Sequence, residues 1–122
     1  MDWDNKTPIY EQLKDKITAE IIEGAIKEGE NIPSIRHIAS LYRINPLTVS
    51  KAYQLLMDED VVEKQRGLGL FVKPGAKNKL SSKQKKVFLT EEWPIIVKKI
   101  ERLGVDKEEL LTQLSQQKET KK

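Results

Sequence analysis

An α+β fold in which helices dominate is predicted for this 122-residue chain by three observations. Residues 33–57, PSIRHIASLYRINPLTVSKAYQLLM, read as two short helices joined by a tight turn. Directly behind them Val61 to Val72, VVEKQRGLGLFV, reads as two β-rich runs around a turn that holds Gly67 and Gly69, the pattern of a short hairpin. Past a lysine-rich stretch, two further segments carry apolar residues at helical spacing. A hairpin in that position is the wing of a winged helix-turn-helix, expected over 1–75. A solvated linker is expected at 76–86, a two-helix C-terminal region at 87–117 and a disordered tail at 118–122.

Thr7-Pro8 opens the first helix, a capping residue followed by a proline whose φ is preset for a helical first position. Its Ile9, Leu13, Ile17 and Ile21 run at strict i, i+4 spacing and form a core stripe, and Gly24 ends it in a left-handed turn. Tyr10 has two readings: its ring packs while its hydroxyl is free to reach a phosphate. After a polar loop, the stretch around Ile32 is expected to make a minor strand. Ser34 then caps a short helix in which Ile35, Ile38, Ala39 and Leu41 are mostly core and Arg36 lies in the first turn.

The second helix of the pair starts at Asn45-Pro46, again a cap followed by proline. Ile44 before the cap and Val49 inside the helix are placed for a hydrophobic staple. Val49, Ala52, Tyr53, Leu56 and Met57 make one face apolar, while Thr48, Ser50, Lys51 and Gln54 make the other polar, with Leu47 exposed on its first turn. Helices of this length and turn suit a helix-turn-helix, whose second helix enters the DNA major groove by its N-terminal residues. The acidic end, Asp58-Glu59-Asp60, sits badly with a helix dipole, which favours cations there. The wing tip, Arg66-Gly67-Leu68-Gly69, brings a guanidinium and exposed backbone to a neighbouring groove or phosphate.

Charge is informative by its distribution. Residues 1–75 hold 10 Lys and Arg against 12 Asp and Glu, whereas 76–122 hold 12 against 7, so the overall +3 comes from the C-terminal part. No acid occurs between Asn31 and Met57, yet Arg36, Arg43 and Lys51 do. Phosphate attraction depends on the local field of the docking face, and this segregation supports it. The lysines from Lys77 to Lys86 add at most attraction without sequence information.

In the annex, Thr90-Glu91-Glu92-Trp93-Pro94 reads as a capped helix start. Trp93, Ile96, Val97, Ile100 and Leu103 form its apolar face, and Gly104 ends it. Asp106 and Glu109 suggest a capping box on a second helix whose apolar side is Leu110, Leu111 and Leu114. Two helices of this size cannot enclose both a core and a ligand pocket, so their faces are expected to be covered by the winged helix or by the same helices of a second chain, the latter giving a symmetric dimer.

Several functions have no residues to stand on. Without cysteine there is neither a disulfide framework nor a zinc finger. The acidic, polar start MDWDNKTP is unlike a signal peptide, and no apolar run has the length of a membrane span, so a cytoplasmic protein with no membrane partner is expected. His37 is the single histidine and reads as a surface or phosphate-contacting residue. Glu91-Glu92 and Glu108-Glu109 suit helix first turns. No catalytic residue, metal ligand or cofactor site is expected, and the chain is not expected to be an enzyme.

Together the pieces PIYEQL, PSIRHIA, NPLTVSKAYQLL and KQRGLGLFV resemble the GntR family of bacterial transcription regulators, from about Pro8 to Val72. The resemblance implies DNA contacts by Arg36, with Ser34 beside it, by Asn45, Pro46, Leu47, Thr48, Ser50 and Lys51, and by Arg66, Gly67, Leu68 and Gly69. Five departures from the family pattern stand out. Arg43 and Asp60 occupy places where glycine is usual, Leu68 and Leu70 replace a lysine and a threonine, and Leu47 replaces a more often polar residue. Leu47 then favours a thymine methyl over a hydrogen-bonded base edge.

The short annex resembles the YtrA-type branch, in which paired C-terminal helices dimerise. Trp93, Ile96, Ile100, Leu103, Leu110 and Leu114 would do so here. Control of a transporter or envelope-stress operon is a further implication of that resemblance. The expected function is a homodimeric, sequence-specific regulator, a repressor, on double-stranded DNA with an inverted-repeat operator. The alternative is a winged helix that binds another protein. Whether a small-molecule effector acts on it is left open by the sequence.

Overall fold

The structure, a computed structural model, describes residues 3–120, with side chains through residue 116. It divides into two compact units, Met1–Lys83 and Gln84–Lys122. In the first unit α1 (Ile9–Glu23), α2 (Ile35–Tyr42) and α3 (Pro46–Asp58) are followed by β1 (Val62–Gln65) and β2 (Gly69–Val72). A further helix, α4 (Ala76–Val87), begins in this unit. This is the expected mostly helical winged helix-turn-helix.

Leu13, Ile17 and Ile21 of α1 are at most 1% exposed and pack with Ile38, Val49, Ala52, Tyr53, Leu56, Val61 and Val72 in one core. Ile9, expected on the same stripe, is exposed. Thr7 does not cap: Pro8 takes the cap position without a side-chain bond. The start is held instead by Gln12, whose amide donates to the carbonyls of Thr7 (2.6 Å) and Asp4 (3.0 Å). Ser34 and Asn45 cap α2 and α3 as expected, accepting from the backbone of His37 and Leu47. Leu41 of α2 points to solvent, and its neighbour Tyr42 packs on the core in its place.

The hairpin is antiparallel, with Val62 opposite Val72 and Gln65 opposite Gly69, leaving Arg66, Gly67 and Leu68 as its loop. The minor strand near Ile32 is present as a bridge between Asn31 and Phe71. Its ladder is extended by bonds from Ile32 N to Leu70 O (3.0 Å) and from Val72 N to Glu30 O (2.9 Å).

The stretch expected to be a solvated linker, 76–86, is a helix. Ala76 and Leu80, four residues apart, bury themselves in the core, and the Glu28 carboxylate accepts from the free backbone N–H of Lys77 (3.1 Å). Two apolar residues among five lysines are too weak a stripe to be recognised without the surface that receives them.

In the second unit a π-helical turn, Phe88–Glu92, runs into α5 (Trp93–Leu103), and α6 (Lys107–Thr120) follows. The expected capped start at Thr90 is absent: its hydroxyl donates to Lys86 O (2.8 Å) within continuing helix. Pro94 has no N–H to donate to the carbonyl four residues back, and the preceding turn widens so that Trp93 N bonds to Phe88 O. Gly104 ends α5 with φ +66°. Asp106 accepts from Glu108 N (3.1 Å), and among the described residues no return bond from Glu109 completes the box. The disordered tail expected at 118–122 falls on residues whose side chains, and from 121 whose backbone, lie outside the described residues. No helix among the described residues is long and apolar enough to cross a membrane.

Candidate nucleic-acid interface

Helix α3 is positioned by its buried side. Val49, Ala52 and Leu56 have no exposed surface, and the Tyr53 hydroxyl donates to Pro33 O at 2.6 Å, tying α3 to the chain just ahead of α2. Burial pushes the Tyr53 phenol well above its ordinary range, so it stays a neutral donor. With that side fixed, Leu47, Ser50, Lys51 and Gln54 must face outward, and Leu47 is 77% exposed. Thr48 is half-buried, while Asn45 and Pro46 are exposed at the helix start.

Tyr10 packs its ring against the core, as expected. Its ring lies under the Lys51 ammonium, 4.0 Å from the centroid, a cation–π contact between α1 and α3. Its hydroxyl is turned to the Glu11 carboxylate at 3.5 Å. Sequence periodicity relates residues of one helix and is silent on a pair 41 positions apart in the chain.

Arg36 is exposed on the first turn of α2, and Ser34 lies exposed at its cap. Arg43 ends α2 in the left-handed region at φ +54°, a conformation costly for a residue with a β-carbon. In the wing Gly67 (φ +77°) and Gly69 (φ +88°) supply the two positive-φ positions of a tight loop, with Arg66 and Leu68 exposed between the strands.

An open groove of ≈ 930 Å³ separates the wing from α2 and α3. Ile35, Tyr53, Met57 and Leu70 contribute apolar lining, and Ser34, His37, Ser50, Gln54 and Lys64 contribute polar lining. Of the residues anticipated for DNA contact, Ser34, Ser50, Leu68 and Gly69 border this groove. Arg36, Asn45, Pro46, Leu47, Thr48, Lys51, Arg66 and Gly67 are outside its lining, on the helix starts and the wing tip. Lys64 was not anticipated; its alternate position in a hairpin strand is the signal that could have found it.

No acid lines the groove, and among the described residues none of Arg36, Arg43, Lys51, Lys64 or Arg66 forms an ion pair. The ion pairs lie elsewhere. Glu59 at the far end of α3 meets Lys14 (2.6 Å) and Lys83 (2.9 Å), and Asp60 meets Lys73 (2.6 Å). Burial opposes ionisation of Glu59, but the hydrogen bonds and charges of Lys14 and Lys83 outweigh it and hold its pKa below the ordinary carboxylate value.

The annex residues anticipated for dimerisation fall in the second unit. Trp93, Ile96, Leu103 and Leu114 are exposed, and Ile100 and Leu110 half-buried. Among the described residues no group of three or more His, Cys, Asp or Glu is placed to hold a metal.

The profile for "Bacterial regulatory proteins, gntR family" matches residues 9–72. The chain is similar to the HTH-type transcriptional repressor YtrA of Bacillus subtilis, 40% identical over 76 residues; the match covers 62% of this chain and 58%, less than two thirds, of that protein. Among solved structures it is similar to a GntR family transcriptional regulator from Listeria monocytogenes, with a TM-score of 0.75, 27% identity and coverage of 93% of this chain and 98% of that one. It is also similar to AraR(DBD) in complex with operator ORR3, with a TM-score of 0.53 and 25% identity over 59% of this chain and 87% of that one.

Proposed function

The chain belongs to the gntR family of bacterial regulatory proteins, and from that premise we propose that it is a transcriptional repressor that binds an inverted-repeat operator as a homodimer. The observation that carries this reading is the uncompensated cationic face: five exposed Lys and Arg side chains around α3, α2 and the wing without one acid partner among the described residues. A basic face of that kind suits a polyanion.

In this reading the N-terminal turn of α3 enters the major groove. Asn45 and Pro46 set its approach, Ser50 and Lys51 reach base edges or flanking phosphates, Thr48 meets the backbone, and Leu47 packs on a thymine methyl. Ser34 and Arg36 at the start of α2 hold phosphates. The loop of Arg66, Gly67, Leu68 and Gly69 follows the adjacent minor groove. Major and minor grooves are separated by one sugar–phosphate strand, and the ≈ 930 Å³ groove between α3 and the wing is where that strand would run, with Lys64 and His37 on its walls. An operator complex on the similar AraR domain supports the assignment.

The apolar side chains of α5 and α6, exposed at Trp93, Ile96, Leu103 and Leu114 and half-buried at Ile100 and Leu110, support a dimer through these six residues, since water-exposed apolar surfaces are the usual seat of self-association. A cytoplasmic regulator of a transporter or envelope-stress operon fits the YtrA resemblance, and transcript profiling of a deletion strain checks it. The primary experiment is selection of binding sites from a random duplex library at near-physiological salt. Enrichment of an inverted repeat is expected. Weak binding that disappears as salt rises, with no enrichment, would mean that the winged helix serves a protein partner instead.

A further inference from the structure

The wing tip is held from outside the hairpin. The Asn31 side-chain amide donates to the carbonyl of Leu68, at the apex of the loop, over 2.6 Å. The contact is close enough that a β-carbon on Gly69 would lie 3.3 Å from the same nitrogen. It belongs to a longer seam: Asn31 bridges Phe71, and Ile32 N donates to Leu70 O. A two-stranded hairpin alone is marginally stable in water. Here the seam adds a short third strand, and among the described residues Asn31 alone carries it to the tip, beyond where the backbone ladder stops.

Asn31, Leu68 and Gly69 all border the groove between the wing and α3. The wing carries only two cationic side chains, Lys64 and Arg66, and leucines occupy positions 68 and 70. A loop with so few attractive groups depends on being held in place before binding, since ordering it on contact would cost conformational entropy. From the 2.6 Å bond at the loop apex we propose that Asn31 is the positioning residue of the wing, setting the width of the slot that receives one sugar–phosphate strand and the aim of Arg66 and Leu68. This rests on the DNA-reading role proposed above.

The test is a double-mutant cycle on the full chain, using a duplex that carries the selected site and measuring affinity, melting temperature and amide hydrogen exchange of the wing. Asn31→Ala leaves the backbone seam in place, and is expected to weaken binding by about five- to tenfold, the scale of one lost hydrogen bond, while the melting temperature falls by only a few degrees. Asn31→Ala should cost clearly less in the Arg66→Ala background than alone, while its loss should multiply in full with that of Arg36→Ala. Equal multiplication with both would overturn the proposal, because a general structural defect behaves that way. So would unchanged binding by Asn31→Ala where Arg66→Ala binds poorly. If Arg66→Ala binds as the parent does, the DNA role of the wing fails, and the latch is then decided by exchange alone. The Leu68 amide, bonded to Gln65 O, should exchange about tenfold faster in Asn31→Ala and in the donorless Asn31→Asp. Unchanged exchange would overturn the latch itself.

Discussion

The two ends of α3 are built on opposite electrostatic plans. Ahead of its first turn Arg43 holds a left-handed backbone, φ +54°, and behind its last turn Asp60 does the same at φ +62°. Asp60 is answered within the chain by the Lys73 ammonium at 2.6 Å, and its neighbour Glu59 by Lys14 and Lys83. Arg43 and Lys51 at the opposite end meet no acid among the described residues. Acids at a helix C-terminus oppose the dipole, and here three lysines from α1, α4 and the segment between β2 and α4 offset that penalty. One end of the helix is neutralised by its own chain. The other meets no acid among the described residues, and it is the end that the proposed operator contact would use.

The largest effect should come from the floor that both ends share. Leu56→Ala empties a fully buried site and should cost about 2–5 kcal/mol of unfolding free energy, lowering stability and binding together. Separating the ends is the sharper test. Arg36→Ala should weaken specific binding by about 1–3 kcal/mol with the melting curve unchanged, and Lys51→Ala by as much, with a further stability loss of about 0.5–1 kcal/mol from the Tyr10 contact. Equal losses on every DNA sequence would remove them from base reading. Arg43→Gly should move the two properties in opposite directions, raising stability by about 1 kcal/mol through relief of the left-handed backbone while weakening DNA affinity. A loss of stability would show that the guanidinium has a structural partner.

Acid should act on the other end. Glu59 has a folded pKa below its ordinary value, so its contribution is present above the unfolded pKa and is lost as pH falls through the folded one. Stability should therefore decline on acidification through and below the usual carboxylate range, and Glu59→Gln should flatten that decline, each pair being worth about 0.5 kcal/mol. The smallest effect is expected from Lys85→Ala with Lys86→Ala: a shallower salt dependence on all duplexes, with the preference for the selected site unchanged.

Most of the local determinants are legible in the chain. The caps at Ser34 and Asn45, the buried stripes of α1 and α3, the glycines of the wing and the end of α5 at Gly104 all follow from residues within a turn or two of one another. The exposed face of α3 is readable for the same reason, because a helix with one apolar face declares its other. Thr7, Leu41 and Thr90 were misjudged by the same local rules, each displaced by a competitor: Gln12, Tyr42 and the demand of Pro94.

By itself, then, the sequence determined a helix-turn-helix with a wing, its polar face and its lack of acids. Only the tertiary structure decided that 76–86 is a helix, that Lys51 rests on Tyr10, that Glu59 is answered by two lysines and that Asn31 holds Leu68. The physical reason is common to all four. Each is a contact between residues far apart in the chain, and its free energy exists only once the core has brought both partners to one place.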